Sequence, residues 1–151
     1  MANPGDAAPV VYTVGYEQHR RPEDLAEVLR HAQIERLVDV RELPLSRRPG
    51  FSKAALENAL AEAGIAYEHV RALGNPKRYR DLYKAGRKAE GERGYRAHIR
   101  NESEAVGELL AALAAARTCV MCVERNPADC HRSILVEELR AREPRLQVEH
   151  L

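Results

Sequence analysis

Cys130-His131-Arg132 sets a thiol, an imidazole and a guanidinium in consecutive positions. They follow an almost wholly apolar run, Thr118 to Val123, and a short polar loop that starts at Glu124. The run reads as a buried strand, and the residues from Cys130 to Arg140 as a helix. A helix N-terminus carries about half a positive charge and presents free N–H groups. A cysteine there, beside cationic neighbours, is lowered in pKa and becomes a candidate nucleophile, with His131 as acid, base or cation. The same groups would hold an anion, with Arg132 as a bidentate clamp. A plainer reading has Cys130 packing a helix end while His131 and Arg132 face solvent. Glu124, where the strand ends, is a candidate second proton carrier or an acceptor for a ligand, and equally a partner for Arg41 or Arg132.

Asp39-Val40-Arg41 is a second constellation. Residues two apart share a face of a strand, so Asp39 and Arg41 stand together, with Val38 and Val40 opposite. Either they form a buried structural ion pair, or Asp39 orients Arg41 toward a ligand. Ser46, Arg47 and Arg48 then extend a donor-rich loop suited to a carboxylate or phosphate.

Two further signals carry less. Cys119-Val-Met-Cys122 has C-x-x-C spacing, but on a strand its two thiols point to opposite faces and cannot share an ion. They read as core, with Cys122 on the same face as Glu124, and no metal site is expected. Residues 71–100 hold ten Lys or Arg against three acids, with Tyr79, Tyr83 and Tyr95 interleaved. Such a block suits nucleic acid through phosphate contacts and stacking, or is simply a solvated face.

The elements that must position these groups alternate. Val10 to Val14, Ile34 to Val40, Ile65 to Val70, Thr118 to Val123 and Leu146 to His150 read as strands. Pro22 opens a helix with Leu25, Val28, Leu29 and Ala32 on one face. Ser52 is a candidate cap for a helix carrying Leu56, Ala59, Leu60 and Ala63, which stops at Gly64. Ser103 is a candidate cap for a long helix with Val106, Leu109, Leu110 and Leu113 inward. The block at 71–100, interrupted by four glycines, is expected to form loops and short helices.

This pattern predicts a single α/β domain over 10–151, a layered fold with a mostly parallel central sheet flanked by helices, after a flexible tail at 1–9. In such sheets ligands bind beyond the carboxyl ends of the strands. That rule gathers Gly15-Tyr16, Arg41 to Arg48, Arg71 to Asn75 and Glu124 to Arg132. Of the 151 residues, 44% are hydrophobic and 31% charged, and the net charge is +1, which suits a packed core rather than disorder. No apolar run approaches the roughly 18 residues of a membrane span, and the first residues lack the pattern of a signal peptide. Three cysteines, an odd count, argue against a disulfide framework and for a reducing cytoplasm.

Taken together these residues resemble the domain-of-unknown-function 488 (DUF488) family. The resemblance rests on Thr13-Val14-Gly15-Tyr16, Leu37-Val38-Asp39-Val40-Arg41 with Pro44 and Ser46, and Phe51-Ser52. It continues through Tyr67, Leu73-Gly74, Cys122-Val123-Glu124 and Cys130-His131-Arg132. It spans about residues 10 to 140, and the spaced C-x-E and C-H-R elements are its most specific part. Asn75 departs from it, since the family often has a second glycine after Leu-Gly. The resemblance implies an α/β fold and a polar site formed by Arg41, Ser46, Tyr67, Glu124, Cys130, His131 and Arg132; it does not deliver an activity, and any cofactor is unknown. A weaker similarity is to rhodanese-like domains, which also pair an Asp-x-Arg strand end with a cysteine before a helix. Their compact glycine-containing cradle is missing here, so sulfur transfer is only one candidate.

The expectation is therefore a pocket for a small anionic or nucleotide-like ligand, with Cys130, His131 and Arg132 on one wall and Arg41 with Ser46 on the other. Asp39, Tyr16 and Tyr67 are further candidates for binding the ligand. Were the protein an enzyme, Cys130 would attack, with His131 and Glu124 moving protons. The alternative is a nucleic-acid-associated module working through the basic block at 71–100.

Overall fold

The computed structural model describes residues 7–151, so most of the expected tail lies outside the described residues. Five strands form one sheet: β1 (Val10–Gly15), β2 (Arg36–Asp39), β3 (Ala66–His69), β4 (Thr118–Cys122) and β5 (Gln147–His150). The order across it is β3-β2-β4-β1-β5, and every neighbouring pair is parallel. Pro9, placed in the tail by the sequence, accepts a hydrogen bond from Gln147 N (2.9 Å) and so extends the β1–β5 pairing.

Among the described residues six helices cover the sheet: α1 (Pro22–His31), α2 (Lys53–Glu62), α3 (Lys77–Lys84), α4 (Lys88–Asn101), α5 (Ser103–Ala115) and α6 (Arg132–Arg142). Leu25, Leu29, Leu56 and Leu60 of α1 and α2 pack with Tyr12, Val14, Leu37, Cys119 and Met121 on one face. Ile99, Leu109, Leu113, Leu135 and Leu139 of α4, α5 and α6 pack with Val11, Val38, Val120 and Cys122 on the other. Both faces are therefore buried, which explains why β4 is apolar throughout. Cys119 and Cys122 fall in opposite clusters, as strand alternation requires.

Several boundaries differ from the sequence reading. The last helix starts at Arg132, because Pro127–Asp129 forms a 3-10 turn that ends on Cys130. Ser103 is the first residue of α5, not its cap, and α4 follows directly before it with only Glu102 between. Most of the stretch from 71 to 100 is helix, the short α3 and the longer α4, with little loop between them. Gly91 and Gly94 lie inside α4, where a Cβ would come within 2.8 Å of the Tyr83 ring and 2.2 Å of the Tyr79 ring. These glycines let α3 lie close against α4. Gly64, at φ +77°, ends the turn after α2 as expected. Among the described residues no helix is long and apolar enough to cross a membrane.

The connections decide where a ligand can enter. The chain leaves β2 toward α2 on one face and leaves the adjacent β4 toward α6 on the other. Loops that part in this way open a crevice at the carboxyl ends of the two strands.

Candidate functional site

A cavity of about 570 Å³ occupies that crevice. At its floor Cys122, from the end of β4, meets Cys130 and His131, brought round by the 3-10 turn. The Asn126 side chain caps that turn by accepting from Ala128 N at 3.0 Å, and Cys130 N donates to Pro127 O at 3.1 Å. His131 Nδ1 lies 3.6 Å from Cys122 Sγ and 3.8 Å from Cys130 Sγ. Its other nitrogen, Nε2, is 2.8 Å from the carbonyl oxygen of Val40. A carbonyl only accepts, so Nε2 carries the hydrogen and Nδ1 turns its lone pair toward both sulfurs. The edge of Tyr95 steadies the imidazole, with ring centroids 4.8 Å apart at 74°, while Tyr95 OH donates to Leu73 O at 2.7 Å.

The helix-terminus argument for a thiolate does not hold in this geometry. Cys130 precedes the first turn of α6 and is only 3% exposed. Burial, and then the neighbouring Cys122, push its thiol well above the ordinary range. Burial also opposes a charge on His131, though a thiolate at Cys130 would favour one, so the net push on the imidazole is upward.

A second cluster stands on the other side of the chain at Val40-Arg41. Arg41 donates to Asp39 through Nε (2.9 Å) and Nη2 (2.7 Å), and its Nη1 donates to Phe51 O (2.8 Å). Tyr67 OH donates to the same carboxylate at 2.5 Å. Burial and then this bond raise the Tyr67 pKa. Arg41 also lies over the Tyr16 ring, 5.2 Å from its centroid, and Tyr16 stacks on Phe51 at 4.8 Å. Tyr16 OH in turn donates to Ser46 Oγ at 2.9 Å. The pair is fully enclosed, so its charges neutralise one another.

Two glycines bring the walls together. A Cβ on Gly15 would sit 1.7 Å from Glu124 O, so only glycine lets β1 end against the loop after β4. A Cβ on Gly74 would sit 2.4 Å from Glu42 N and Cα, so only glycine lets the loop after β3 lie across the end of β2. Asn75 is thereby carried into the cavity wall, 4% exposed, with its Oδ1 unpaired. Above it Arg80 bridges Glu42 at 2.7 Å. Tyr83 and Lys84 of α3, and Arg47 from the loop after β2, complete the rim. Burial, followed by the acidic groups around it, pushes Tyr83 up to about 12.

The domain of unknown function DUF488 has a family model that matches residues 21–139 of the 151. The chain belongs to the DUF488 family. No curated protein and no solved structure matches it.

In this DUF488 chain the cavity brings together Arg41, Arg47, Cys122, Glu124, Cys130 and His131, all singled out from sequence. Arg41 reaches it as a lining residue already saturated by Asp39 and Phe51. Asp39, Tyr16, Tyr67 and Ser46 stand behind Arg41 and do not line the cavity. Arg132 turns inward, donating to Glu124 O (2.5 Å) and Arg125 O (3.0 Å), so it holds the loop rather than the cavity wall. Arg48 likewise donates to Glu17 O at 2.7 Å.

The loop up to Asn75 was gathered at the strand ends from sequence, but Arg80, Tyr83 and Lys84 were not assigned to this site. Their signal was present: Arg80, Tyr83 and Lys84 have i, i+3, i+4 spacing and share one face of a helix. The charge run hid it. Of the ten basic residues at 71–100, six form ion pairs, among them Arg96 with Glu137 (2.7 Å) and Arg100 with Glu138 (3.2 Å) of α6. Three of the six pair with the block's own acids, and Glu42, Asp129, Glu137 and Glu138 from outside it offset part of the local excess.

Proposed function

We propose that this protein binds a small organic anion, of phosphate or carboxylate type, in the strand-end cavity, over the floor of Cys122, Cys130 and His131. The observation that carries this reading is the composition of the cavity's upper wall. Arg47 and Lys84 reach the rim with no carboxylate within ion-pairing distance among the described residues. Asn75 offers a buried amide oxygen that nothing satisfies, and an unsatisfied buried acceptor costs about 1–3 kcal/mol. A ligand with an anionic group toward the rim and a hydroxyl or amine toward Asn75 would satisfy both.

Any reaction would involve the floor, with Cys130 as the thiol, His131 Nδ1 as the base and Glu124 as a second proton carrier. Cys122 competes for the same Nδ1, at a slightly shorter distance than Cys130. Binding therefore comes first in this reading and catalysis second. Nucleic-acid binding through 71–100 has weaker support, because acids from outside the block offset part of its charge.

The test is a thermal-shift titration of the full chain with inorganic phosphate, a nucleoside monophosphate and a neutral nucleoside. A ligand at about 100 times its Kd adds about 2.7 kcal/mol to stability, which raises the midpoint by several degrees. The expected result is a shift with the anions that Lys84→Ala and Arg47→Ala each reduce. An equal response to the neutral nucleoside, or none to any anion, overturns it.

A further inference from the structure

We infer that Cys122, Cys130 and His131 form a binding site for a borderline-soft divalent metal ion of the zinc class, with its fourth position open to the cavity. Sγ of Cys122, Sγ of Cys130 and Nδ1 of His131 all lie within 4.8 Å of one another. A tetrahedral ion with metal–sulfur bonds of about 2.3 Å and a metal–nitrogen bond of about 2.1 Å sets its S···N separations at about 3.6 Å. The two S···N separations here are 3.6 and 3.8 Å. Both S···N separations thus already match such a site, and the two sulfurs lie within 4.8 Å of one another.

Three further features fit this assignment. The imidazole is fixed by its Nε2–H bond to Val40 O, so the free lone pair on Nδ1 faces the sulfurs. A main-chain or carboxylate partner on the second nitrogen is the usual support of a metal-binding histidine. Charge also balances. Binding breaks two S–H bonds and forms two S–metal bonds, releases both protons to solvent, and leaves two thiolates against one dication. A neutral site tolerates burial, where a lone thiolate would not. Finally, Glu124 lines the cavity with Oε2 3.5 Å from Cys122 Sγ, so a carboxylate stands on the open side. Three protein ligands and one open position are the arrangement of catalytic rather than structural zinc sites.

The C-x-x-C spacing of Cys119 and Cys122 misdirects on this point. Cys122 is a ligand, and its partners are eight and nine residues further on, on the same face of the sheet. Cys119 faces the opposite core and takes no part.

The inference needs the cavity for its open side but does not need an anion to bind. The test uses the full chain, kept reduced and stripped with a chelator, and titrated with cobalt(II) near neutral pH. The expected result is uptake of one ion per chain with thiolate-to-cobalt charge-transfer absorption and the intense visible bands of a tetrahedral ion. Zinc(II) should displace it, and about two protons should be released per ion. Cys122→Ser and Cys130→Ser should each weaken binding by at least about tenfold and reduce the charge-transfer band. Cys119→Ala should do neither. Circular dichroism of each variant separates lost ligation from lost folding. Cobalt bound without thiolate absorption, no uptake by folded protein, or serine variants that bind like the parent would each overturn the assignment. Phosphate shifts measured on the stripped and zinc-loaded protein stand apart. Zinc bound through the thiols with no phosphate response keeps the metal site and removes the anion reading, and the reverse result does the opposite.

Discussion

Asp39 and Arg41 show how one residue pair can look functional and be placed as a support. Their carboxylate and guanidinium are sealed together, with Tyr67 and the Phe51 carbonyl filling the remaining bonds. Removing one partner leaves the other charge buried, which costs about 3–5 kcal/mol. Arg41→Ala should therefore lower the urea midpoint strongly, and Arg41→Lys should recover only part, because an ammonium cannot make the two-pronged contact. A loss below about 1 kcal/mol would mean the pair is not load-sharing. Cys130 went the other way. Its type and neighbours were legible in sequence, but its burial was not, and burial sets its acidity. Iodoacetamide should modify Cys130 in the metal-free protein only at alkaline pH. A rate that is already at its plateau at neutral pH would restore the resting thiolate. Its pairing with Cys122 was equally hidden, because that contact is made by the turn at Pro127–Asp129 and not by spacing along a strand.

At the level of elements, β1, β2, β4 and α1 were readable because the middle of the sheet is covered on both faces and the helix shows a clean stripe. The two helices α3 and α4 were not. Their glycines look like breaks until the tyrosine rings that fill the space above them are placed. The same lesson gives a prediction at β1 and at the loop after β3. Gly15→Ala must displace the Glu124 carbonyl, and Gly74→Ala must displace the backbone at Glu42. Each should cost about 1–3 kcal/mol, the usual penalty for forcing a methyl group into filled space. Each should also disturb the cavity from a different wall. Denaturation midpoints together with cobalt affinity would check both, and an alanine that leaves the two unchanged would refute the close approach.

Across the whole molecule, burial of neutral acids sets the response to pH. Burial raises Cys119, Cys130 and Tyr95 above their ordinary values. The folded chain then holds protons that the unfolded chain releases. Stability is complete below the ordinary thiol pKa of about 8.5 and falls as pH rises beyond it, at up to about 1.4 kcal/mol per pH unit per group. Urea midpoints of the metal-free protein should be level near neutrality and drop toward about pH 10. Cys119→Val should flatten that slope, and a midpoint that does not move with alkali would contradict the burial of these thiols.

The strand order carries one more consequence, for the time at which the sheet can close. Strand β1 has two neighbours, β4 and β5, and both are made last. Its partner across the sheet pairs Val11 with Thr118, so every residue between them must leave the ribosome before β1 has a strand to pair with. Until then Val10 to Gly15 is an apolar ribbon with both edges bare, whereas β2 and β3 can pair with each other early. Such long-range parallel pairing is slow. During synthesis the segment at risk of sticking to another chain is the first strand, and the cavity between β2 and β4 takes shape only with the arrival of Thr118–Cys122.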